Sequence, residues 1–356
     1  NHIMYTMRLH CMTYYKFFTI ISYTCGIKEG RENCMRRMNK RSVSVLLIFC
    51  LITAAVSGGC AGKSEGISGG QGADGRKSGV TAPAGSEVMT ALSQQEEADL
   101  EAEAVIEEVD YSAYFEGLNG AAVIYDPSEN RYQIYNQETA LTQRSPCSTF
   151  KIISSLIGLE NGIIVPEDSV RPWSGEIFWN EDWNRDIGFE DAFRTSCVWY
   201  FRQVIDEIGT ELMQEELDRL QYGNRDISDW EGRQNTNDDN RALTGFWIES
   251  SLRISPKEQT EVMERIFGRD SEYSKGTQDK LKEVMLVSGQ SEPGLAVYGK
   301  TGQGAEGNTT VDCWFTGFAD QGESRIYYCV YLGRTNGADL SAVKAREIAL
   351  QILADY

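Results

Sequence analysis

The stretch Ser145–Lys151, with the sequence Ser-Pro-Cys-Ser-Thr-Phe-Lys, ends a loop and begins an apolar helical run that continues to Leu159. Ser148 falls in the first turn of this run, where its hydroxyl lies near the positive end of the helix dipole. Lys151 comes three residues later and therefore projects from the same helix face. Because a lysine in this position can activate a serine nucleophile, the sequence predicts that Ser148 is the nucleophile and Lys151 its base.

Two further observations limit this prediction. The same Ser-x-x-Lys spacing recurs at Ser341 and Lys344, in what reads as an ordinary C-terminal helix, so spacing alone does not identify a catalytic pair. The two histidines, His2 and His10, both precede the region expected to fold. Their position excludes a Ser-His-Asp triad and histidine-based zinc sites from the folded part. The base must therefore be a lysine or a carboxylate.

The composition indicates an acidic protein with a packed core. The chain has 356 residues, of which 41% are hydrophobic, and a formal charge of −19. Residues 60–356 alone hold 26 basic and 51 acidic groups, a net charge of −25. Such a surface repels nucleic acids and anionic membranes, so we expect neither as a partner. The acidity mainly keeps the protein soluble.

The cysteines give no sign of a metal or redox site. No Cys-x-x-Cys pair occurs, and we expect no metal. Cys313 and Cys329 fall on consecutive predicted strands and could form a disulfide, although buried free thiols are the commoner outcome.

The N-terminal part indicates export. We expect residues 1–34 to be an upstream, non-native extension and residues 35–59 to be a signal peptide, because basic residues precede a short apolar run there. Cys60 is then the predicted lipid attachment site, which makes the protein extracytoplasmic and either lipid-anchored to the cell membrane or secreted. Residues 60–108 are predicted to be a flexible tether, Gly/Ser-rich at first. The acidic part, residues 87–108, would be a solvated helix or loose.

Residues 109–356 are predicted to form one catalytic domain of mixed α/β (α+β) class. Its first part reads as a β-hairpin, followed by mostly helical patterns over about residues 150–286 and then by three further strands and a helix. We therefore expect an antiparallel sheet built from both ends of the domain, flanked by helices, with an all-helical lobe inserted. The predicted elements are the hairpin strands Ala121–Tyr125 and Arg131–Tyr135, the strands Leu295–Lys300, Thr310–Phe318 and Arg325–Leu332, and the helix Leu340–Leu353 with Asp339 as its cap.

Three short motifs follow Ser148, and each has an ordinary structural explanation. Ser196-Cys197-Val198 could begin a helix, with the serine as its cap. Tyr222-Gly223-Asn224 could be a simple turn. Lys300-Thr301-Gly302 could be the exposed end of a strand, although the lysine could also bind a carboxylate and the glycine could let a ligand approach closely.

The order and spacing of the motifs are more informative than any one of them. Ser-x-Val follows Ser148 by 48 residues, Tyr-Gly-Asn by a further 26 and Lys-Thr-Gly by a further 78. The set is similar to the class D, oxacillinase-type serine β-lactamases, and the resemblance runs from about Asp110 to the C-terminus. It implies the serine β-lactamase and penicillin-binding-protein fold. Three further stretches match the class as a whole: residues 183–186, 246–249 and 313–317. Residues 145–151 together with 196–201 look most like the Gram-positive branch of the class.

The resemblance implies a role for each matched residue. Ser148 would be acylated by the β-lactam carbonyl, and Lys151 would carry CO2 as N6-carboxylysine and act as the general base. Ser196 would relay protons, and Trp247 would hydrogen-bond the carbamate through its indole N–H. The backbone N–H groups of Ser148 and Gln303 would form the oxyanion hole. The predicted substrate-binding residues are Val198, Tyr222, Trp247, Lys300, Thr301, Gly302 and Gln303.

The chemistry of lysine agrees with this role. An ammonium group cannot accept a proton, so burial must first lower the pKa of Lys151. Phe150, Val198 and Trp247 are the expected apolar surroundings. CO2 on this lysine is the only cofactor that we expect.

The expected ligand is a small-molecule β-lactam whose carboxylate Lys300 and Thr301 would help to hold. Members of this class often use an additional arginine after the last strand, and here Arg334, Lys344 and Arg346 are all candidates. We expect no obligate protein partner, and membrane contact only through the lipid anchor.

Two related functions are alternatives. A β-lactam-sensing receptor domain would be acylated without turnover, and a penicillin-binding peptidase would act on D-Ala-D-Ala. The peptidases share Ser-x-x-Lys and Lys-Thr-Gly but usually lack Tyr-Gly-Asn together with this Trp247 context. The receptors carry their sensor domain after several membrane spans and a His-Glu-x-x-His protease.

Replacing the predicted lipid attachment site tests the localisation. Expressed in a Gram-positive host, the Cys60→Ala protein should move from the membrane fraction to the medium, because its acyl chains would be lost. Immunoblotting of the two fractions measures the shift. Unchanged partitioning would contradict the lipid anchor and leave simple secretion.

Overall fold

The computed structural model describes residues 103–235, 240–287, 294–335, 338 and 340–356. The predicted extension 1–34, the signal peptide 35–59, the lipid site Cys60 and the first part of the tether all lie outside the described residues. Within the described residues, no helix is long and apolar enough to cross a membrane. The same residues contain no cluster of His, Cys, Asp and Glu placed to hold a metal ion.

A six-stranded sheet joins the two ends of the domain. Its strand order is β1-β3-β2-β6-β5-β4, so the strands from the first part meet those from the last part where β2 pairs with β6. All neighbours are antiparallel except β1 and β3. The predicted hairpin and the antiparallel sheet built from both ends are confirmed. The strands are β1 (Val105–Glu108), β2 (Gly120–Asp126), β3 (Arg131–Tyr135), β4 (Leu295–Glu306), β5 (Thr309–Gln321) and β6 (Ser324–Gly333).

Residues Val105–Glu108 form the strand β1, so the prediction that the acidic segment 87–108 is a solvated helix or loose is wrong for these four residues. Its four residues pair in parallel with β3. The first residue of the strand is held by a hydrogen bond from the Val105 N–H to the Asn130 carbonyl at 2.9 Å. Glu107 accepts a hydrogen bond from Arg131 on the neighbouring strand at 2.7 Å. The open edge of β3 therefore decides the conformation here, and such a tertiary contact leaves no local pattern in the sequence.

The helices form two groups on the two sides of the sheet. The helix α8 packs on one face, where Ile348 and Ala349 join Phe315 and Val330 in an apolar core. The helical lobe lies between β3 and β4 in the chain and has its own larger core. The helices are α1 (Ser112–Phe115), α2 (Gln137–Ala140), α3 (Lys151–Glu160), α4 (Phe189–Arg194), α5 (Val198–Arg219), α6 (Pro256–Phe267), α7 (Lys275–Met285) and α8 (Ala342–Asp355). The short 3-10 turns are Cys147–Phe150, Pro166–Asp168, Glu181–Trp183 and Arg241–Leu243.

The second Ser-x-x-Lys pair has the ordinary role expected of it. The Ser341 side chain caps α8 by accepting the N–H of Lys344, and the Lys344 ammonium forms an ion pair with Glu116 at 3.2 Å. Ser341 therefore takes the capping position that the sequence assigned to Asp339. A serine that caps its helix and a lysine that faces solvent cannot act as a nucleophile and base.

Cys313 and Cys329 do not form a disulfide, although they lie on neighbouring strands. Cys313 is paired with Leu332, and Cys329 is paired with Thr316. Both thiols are free and buried. The alternative of buried free thiols is therefore confirmed.

Candidate active site

The nucleophile turn lies at the start of the helical lobe. Residues Cys147–Phe150 form a 3-10 turn that continues into α3 at Lys151. The Lys151 Nζ donates to the Ser148 Oγ at 2.9 Å, and the Lys151 side chain is buried. Cys147 has a left-handed backbone with φ of 49°, which is costly for a residue with a side chain. The structure therefore confirms the predicted proximity of the two side chains and places a strained residue directly before Ser148.

The surroundings of Lys151 change its proton affinity. Burial lowers the pKa of its amine to about 8, well below the usual value for lysine. The Phe201 ring centroid lies 5.5 Å from the Nζ. Phe150 packs against the Trp247 ring with the centroids 6.1 Å apart. The neutral amine that a general base requires is therefore accessible near physiological pH.

A second serine–lysine pair faces the first. The Lys300 Nζ donates to the Ser196 Oγ at 2.5 Å and also to the Thr301 carbonyl at 3.1 Å. Lys300 is 5% exposed, so it is a buried residue and not the exposed strand-end lysine that was the alternative. Burial, with the nearby Lys151 charge as a second cause, lowers its pKa well below the usual value. Ser196 has a left-handed backbone with φ of 57° and does not cap α5, whose first flanking residue is Cys197.

A cavity of about 490 Å³ opens over the nucleophile. Six predicted site residues line it: Ser148, Ser196, Val198, Thr301, Gly302 and Gln303. Sequence reasoning assigned no site role to the other lining residues, which are Cys147, Trp179, Trp183, Thr195, Leu243, Ile248, Glu249, Gly304, Ala305 and Ala342. Among these, Cys147, Trp183, Ile248 and Glu249 fall in stretches that matched the class D motifs, which was the one signal that could have found them.

Gly302 lets β4 approach the nucleophile turn. A Cβ atom at this position would stand 2.9 Å from the Pro146 carbonyl oxygen and 3.1 Å from the Thr149 nitrogen. Both distances are too short for ordinary packing, so a side chain would force the strand away from the turn. The glycine of the Lys-Thr-Gly motif thus brings Gln303 and Ser148 to the same cavity.

Three predicted substrate-binding residues do not line this cavity. Lys300 lines a second, smaller cavity instead. The other two are Tyr222 and Trp247. Both are fully buried and pack on Phe150, with the Tyr222 ring at 5.5 Å in an edge-to-face arrangement. The structure therefore replaces the predicted substrate contact of Tyr222 with support beneath the nucleophile turn. The Trp247 Nε1 is buried and, within the described residues, has no hydrogen-bond partner.

Gly223 and Asn224, the other two residues of the Tyr-Gly-Asn motif, contact a neighbouring loop. The Asn224 N–H donates to the Arg253 carbonyl at 2.9 Å, and its side-chain amide donates to the Ser251 carbonyl at 2.8 Å. Gly223 has φ of 48°, and a Cβ there would lie 2.0 Å from the Arg253 carbonyl oxygen. The turn is therefore closely packed. Its hydrogen bonds stabilise the position of residues 251–253, which follow Trp247 in the chain.

The three candidate carboxylate-binding cations occupy different surroundings. Arg334 forms an ion pair with Glu306 at 2.6 Å, and Lys344 is paired with Glu116. Arg346 lines a cavity of about 260 Å³ together with Lys300 and Thr301. Of the three, Arg346 is the one that shares a cavity wall with these two motif residues.

The chain matches a known family over most of the described domain. The model of the penicillin-binding-protein transpeptidase domain matches residues 120–354. The chain therefore belongs to the penicillin-binding-protein transpeptidase domain family.

Within that family, the chain is similar to class D β-lactamases, as the motifs predicted. The probable β-lactamase YbxI of Bacillus subtilis (strain 168) is 31% identical over 245 residues, covering 68% of this chain and 82% of the relative. The solved structure of a class D β-lactamase from Bacillus subtilis has a TM-score of 0.58 at 28% identity and covers 70% of this chain and 95% of that one. The predicted resemblance and fold class are confirmed.

A regulatory protein is also similar to this chain. The regulatory protein BlaR1 of Bacillus licheniformis is 28% identical over 273 residues, covering 76% of this chain. The chain spans only 42% of the length of BlaR1. The similarity therefore concerns one part of that relative.

Gly223→Ala tests the role of the Tyr-Gly-Asn turn. We expect a loss of about 2–4 kcal/mol in the free energy of unfolding, because the new Cβ would collide with the Arg253 carbonyl at a left-handed backbone position. Urea denaturation measures the change. The control is Gly276→Ala in α7, where the added Cβ meets nothing within 4 Å and should stabilise by up to about 1 kcal/mol. Equal stabilities of the two variants would contradict this role.

Proposed function

We propose that the protein hydrolyses β-lactam antibiotics through a serine acyl-enzyme. The observation that carries this proposal is the buried Lys151 amine, 2.9 Å from the Ser148 hydroxyl at the wall of the cavity. Ser148 Oγ attacks the β-lactam carbonyl carbon as its proton passes to the base at Lys151. The ring C–N bond then breaks, and a proton reaches the departing nitrogen through Ser196. Water releases the acyl group in a second step.

The surroundings of the reacting carbonyl supply the electrostatic part of catalysis. Ser148 and Gln303 belong to the nucleophile turn and to β4, which Gly302 holds close together. Their backbone N–H groups are the proposed donors to the oxyanion that develops on the carbonyl oxygen. Removing one such donor typically lowers the rate by about 10²–10³.

The lysine site fits CO2 on two grounds. Burial lowers the pKa of Lys151 and so makes its neutral amine available. The Trp247 Nε1, buried without a partner in the described part of the chain, can donate one hydrogen bond to an added oxygen. Bound as a carbamate on the Nζ, CO2 would supply an anionic oxygen base. A general base is worth about 10²–10⁴ in rate.

The substrate carboxylate is proposed to bind beside the second lysine. Lys300 and Thr301 lie on the strand that borders both cavities, and Arg346 contributes a further cation to the smaller one. A planar guanidinium can bind a carboxylate through two parallel hydrogen bonds. We assign the open cation role to Arg346 because Arg334 and Lys344 are engaged elsewhere.

A β-lactam receptor is the second candidate, favoured by the similarity to BlaR1. Both functions begin with acylation of Ser148, and they differ only in whether the acyl group leaves. Nitrocefin turnover distinguishes them: many cycles for each protein molecule indicate an enzyme, and one stoichiometric burst indicates a receptor.

The proposed setting is extracytoplasmic, with attachment through Cys60 or secretion without it. The small-molecule substrate is the one partner that the proposal requires. The extracytoplasmic setting rests on the sequence pattern that precedes the described domain.

Ser148→Ala tests the nucleophile. We expect turnover and covalent labelling by penicillin to disappear while the melting temperature stays close to that of the native protein, because only one small hydroxyl is removed. Intact-mass spectrometry after incubation with penicillin measures the labelling. Labelling of the Ser148→Ala protein would mean that the nucleophile is another residue.

The pH dependence and the carbamate test the base. Since the pKa of Lys151 is about 8, its amine is increasingly protonated at lower pH and can then neither accept a proton nor hold CO2. Activity should therefore fall towards acidic pH in bicarbonate-free buffer and recover when bicarbonate is added near neutral pH.

An independent signal checks the same prediction. With ¹³C-bicarbonate, NMR should show one carbamate resonance that is absent from Lys151→Ala, and Trp247→Ala should need more bicarbonate to produce it. Full multiple-turnover activity without this resonance would rule out the carbamate and leave a plain amine or a carboxylate as the base.

A further inference from the structure

Glu249 is a carboxylate in the cavity wall that the proposed mechanism does not use. It lies two residues after Trp247 and has a left-handed backbone with φ of 50°. Its Oε1 accepts a hydrogen bond from the Ala305 N–H, and its Oε2 is buried without a partner in the described part of the chain. Burial raises the pKa of this carboxyl. A strained backbone and a partly unsatisfied buried oxygen are both costly, which calls for a compensating role.

The backbone around Glu249 holds the segment that precedes the nucleophile. The Glu249 N–H donates to the Ser145 Oγ at 2.7 Å, and this hydroxyl donates to the Trp247 carbonyl at 3.1 Å. The Cys147 N–H donates to the same carbonyl at 2.9 Å. Three hydrogen bonds therefore connect residues 247–249 to residues 145–147, directly before Ser148.

The side chain of Glu249 reaches the other half of the site. The pairing of β4 with β5 is irregular between Gly304 and Ala305, where the Ala305 N–H meets the carboxylate. Gly304 allows this close approach, because a Cβ there would lie 2.8 Å from the Cys147 Sγ and 3.2 Å from the Glu249 Oε1. Ala305 follows Gln303 by two residues on the same strand. One residue thus contacts both β4, which carries Gln303, and the segment directly before the turn that carries Ser148.

We propose that Glu249 is a positioning residue that sets the separation between the backbone N–H groups of Ser148 and Gln303. This inference rests on the proposed function, because it concerns the oxyanion hole of that reaction. The carboxylate acts through the Ala305 N–H and does not touch the substrate. Because the side chain makes no proposed contact with the substrate, its contribution should lie in the acylation step and not in substrate binding.

Two variants at Glu249 and one control separate positioning from general stability. Glu249→Ala removes the acceptor, whereas Glu249→Gln keeps an oxygen at the same distance along the side chain. Glu306→Gln is the matched control, since it removes one negative charge from the same end of β4, where Glu306 forms an exposed ion pair with Arg334. The measurements are the acylation rate constant with penicillin, the affinity for a boronic acid, KM and the melting temperature. The boronate adduct on Ser148 places an oxygen in the oxyanion hole.

We expect Glu249→Ala to lower the acylation rate constant by about 30-fold, which is less than the roughly 10²–10³ typical of a removed oxyanion donor, because both donors remain and only their separation changes. Boronate affinity should fall by a similar factor while KM changes little. Glu249→Gln should stay within about threefold of the native protein, and Glu306→Gln should be unchanged. If Glu249→Ala does not fold, Glu249→Asp replaces it, because the shorter side chain withdraws the carboxylate from Ala305, and an intermediate loss is expected.

The outcomes distinguish this inference from the proposed function. A native protein that penicillin does not acylate would overturn the proposed function and the inference with it. A native protein that is acylated, with Glu249→Ala acylated at the same rate, would overturn the inference alone. Equal losses in Glu249→Ala and Glu249→Gln that follow the melting temperature would also overturn it, because the role would then be structural.

Discussion

The structure depends on a lysine amine held away from water beside a serine hydroxyl. Removing the Lys151 charge from solvent is unfavourable, and the protein meets this cost by lowering the pKa of the amine. The apolar core of the helical lobe provides the necessary surroundings, since Phe150 and Phe201 belong to it. Tyr222 and Trp247 extend the same core beneath the nucleophile turn. The core of the lobe therefore has a chemical function as well as a stabilising one.

The site forms where two parts of the chain that are distant in sequence pack closely, with no room for an additional side chain between them. The nucleophile turn comes from the start of the lobe, and β4 comes from the C-terminal half of the sheet. Gly302 and Gly304 remove side chains where the strand passes Pro146 and Cys147. Left-handed residues at Cys147, Ser196 and Glu249 border the same cavity. Strain of this kind persists only when surrounding contacts hold it, and here those contacts connect the sheet to the lobe.

Sequence patterns predicted what is local and missed what depends on tertiary contacts. The hairpin of β2 and β3 was predictable because alternation and a turn lie within a few residues of each other. The Ser148–Lys151 pair was predictable because one helical turn fixes it. The strand β1 and the burial of Tyr222 were not, since each is decided by a neighbour far along the chain. The carboxylate of Glu249 belongs to the same group, because only the folded structure brings it to Ala305.

The cysteines have a consequence for how the domain can form. The four cysteines within the described residues, Cys147, Cys197, Cys313 and Cys329, are all free and buried. Burial raises the pKa of the Cys197 thiol to about 11 and shifts the other three in the same direction. Because the thiolate is the species that reacts, such thiols oxidise slowly. Because no disulfide links the described residues, a reducing agent has no cross-link to break in this part of the chain.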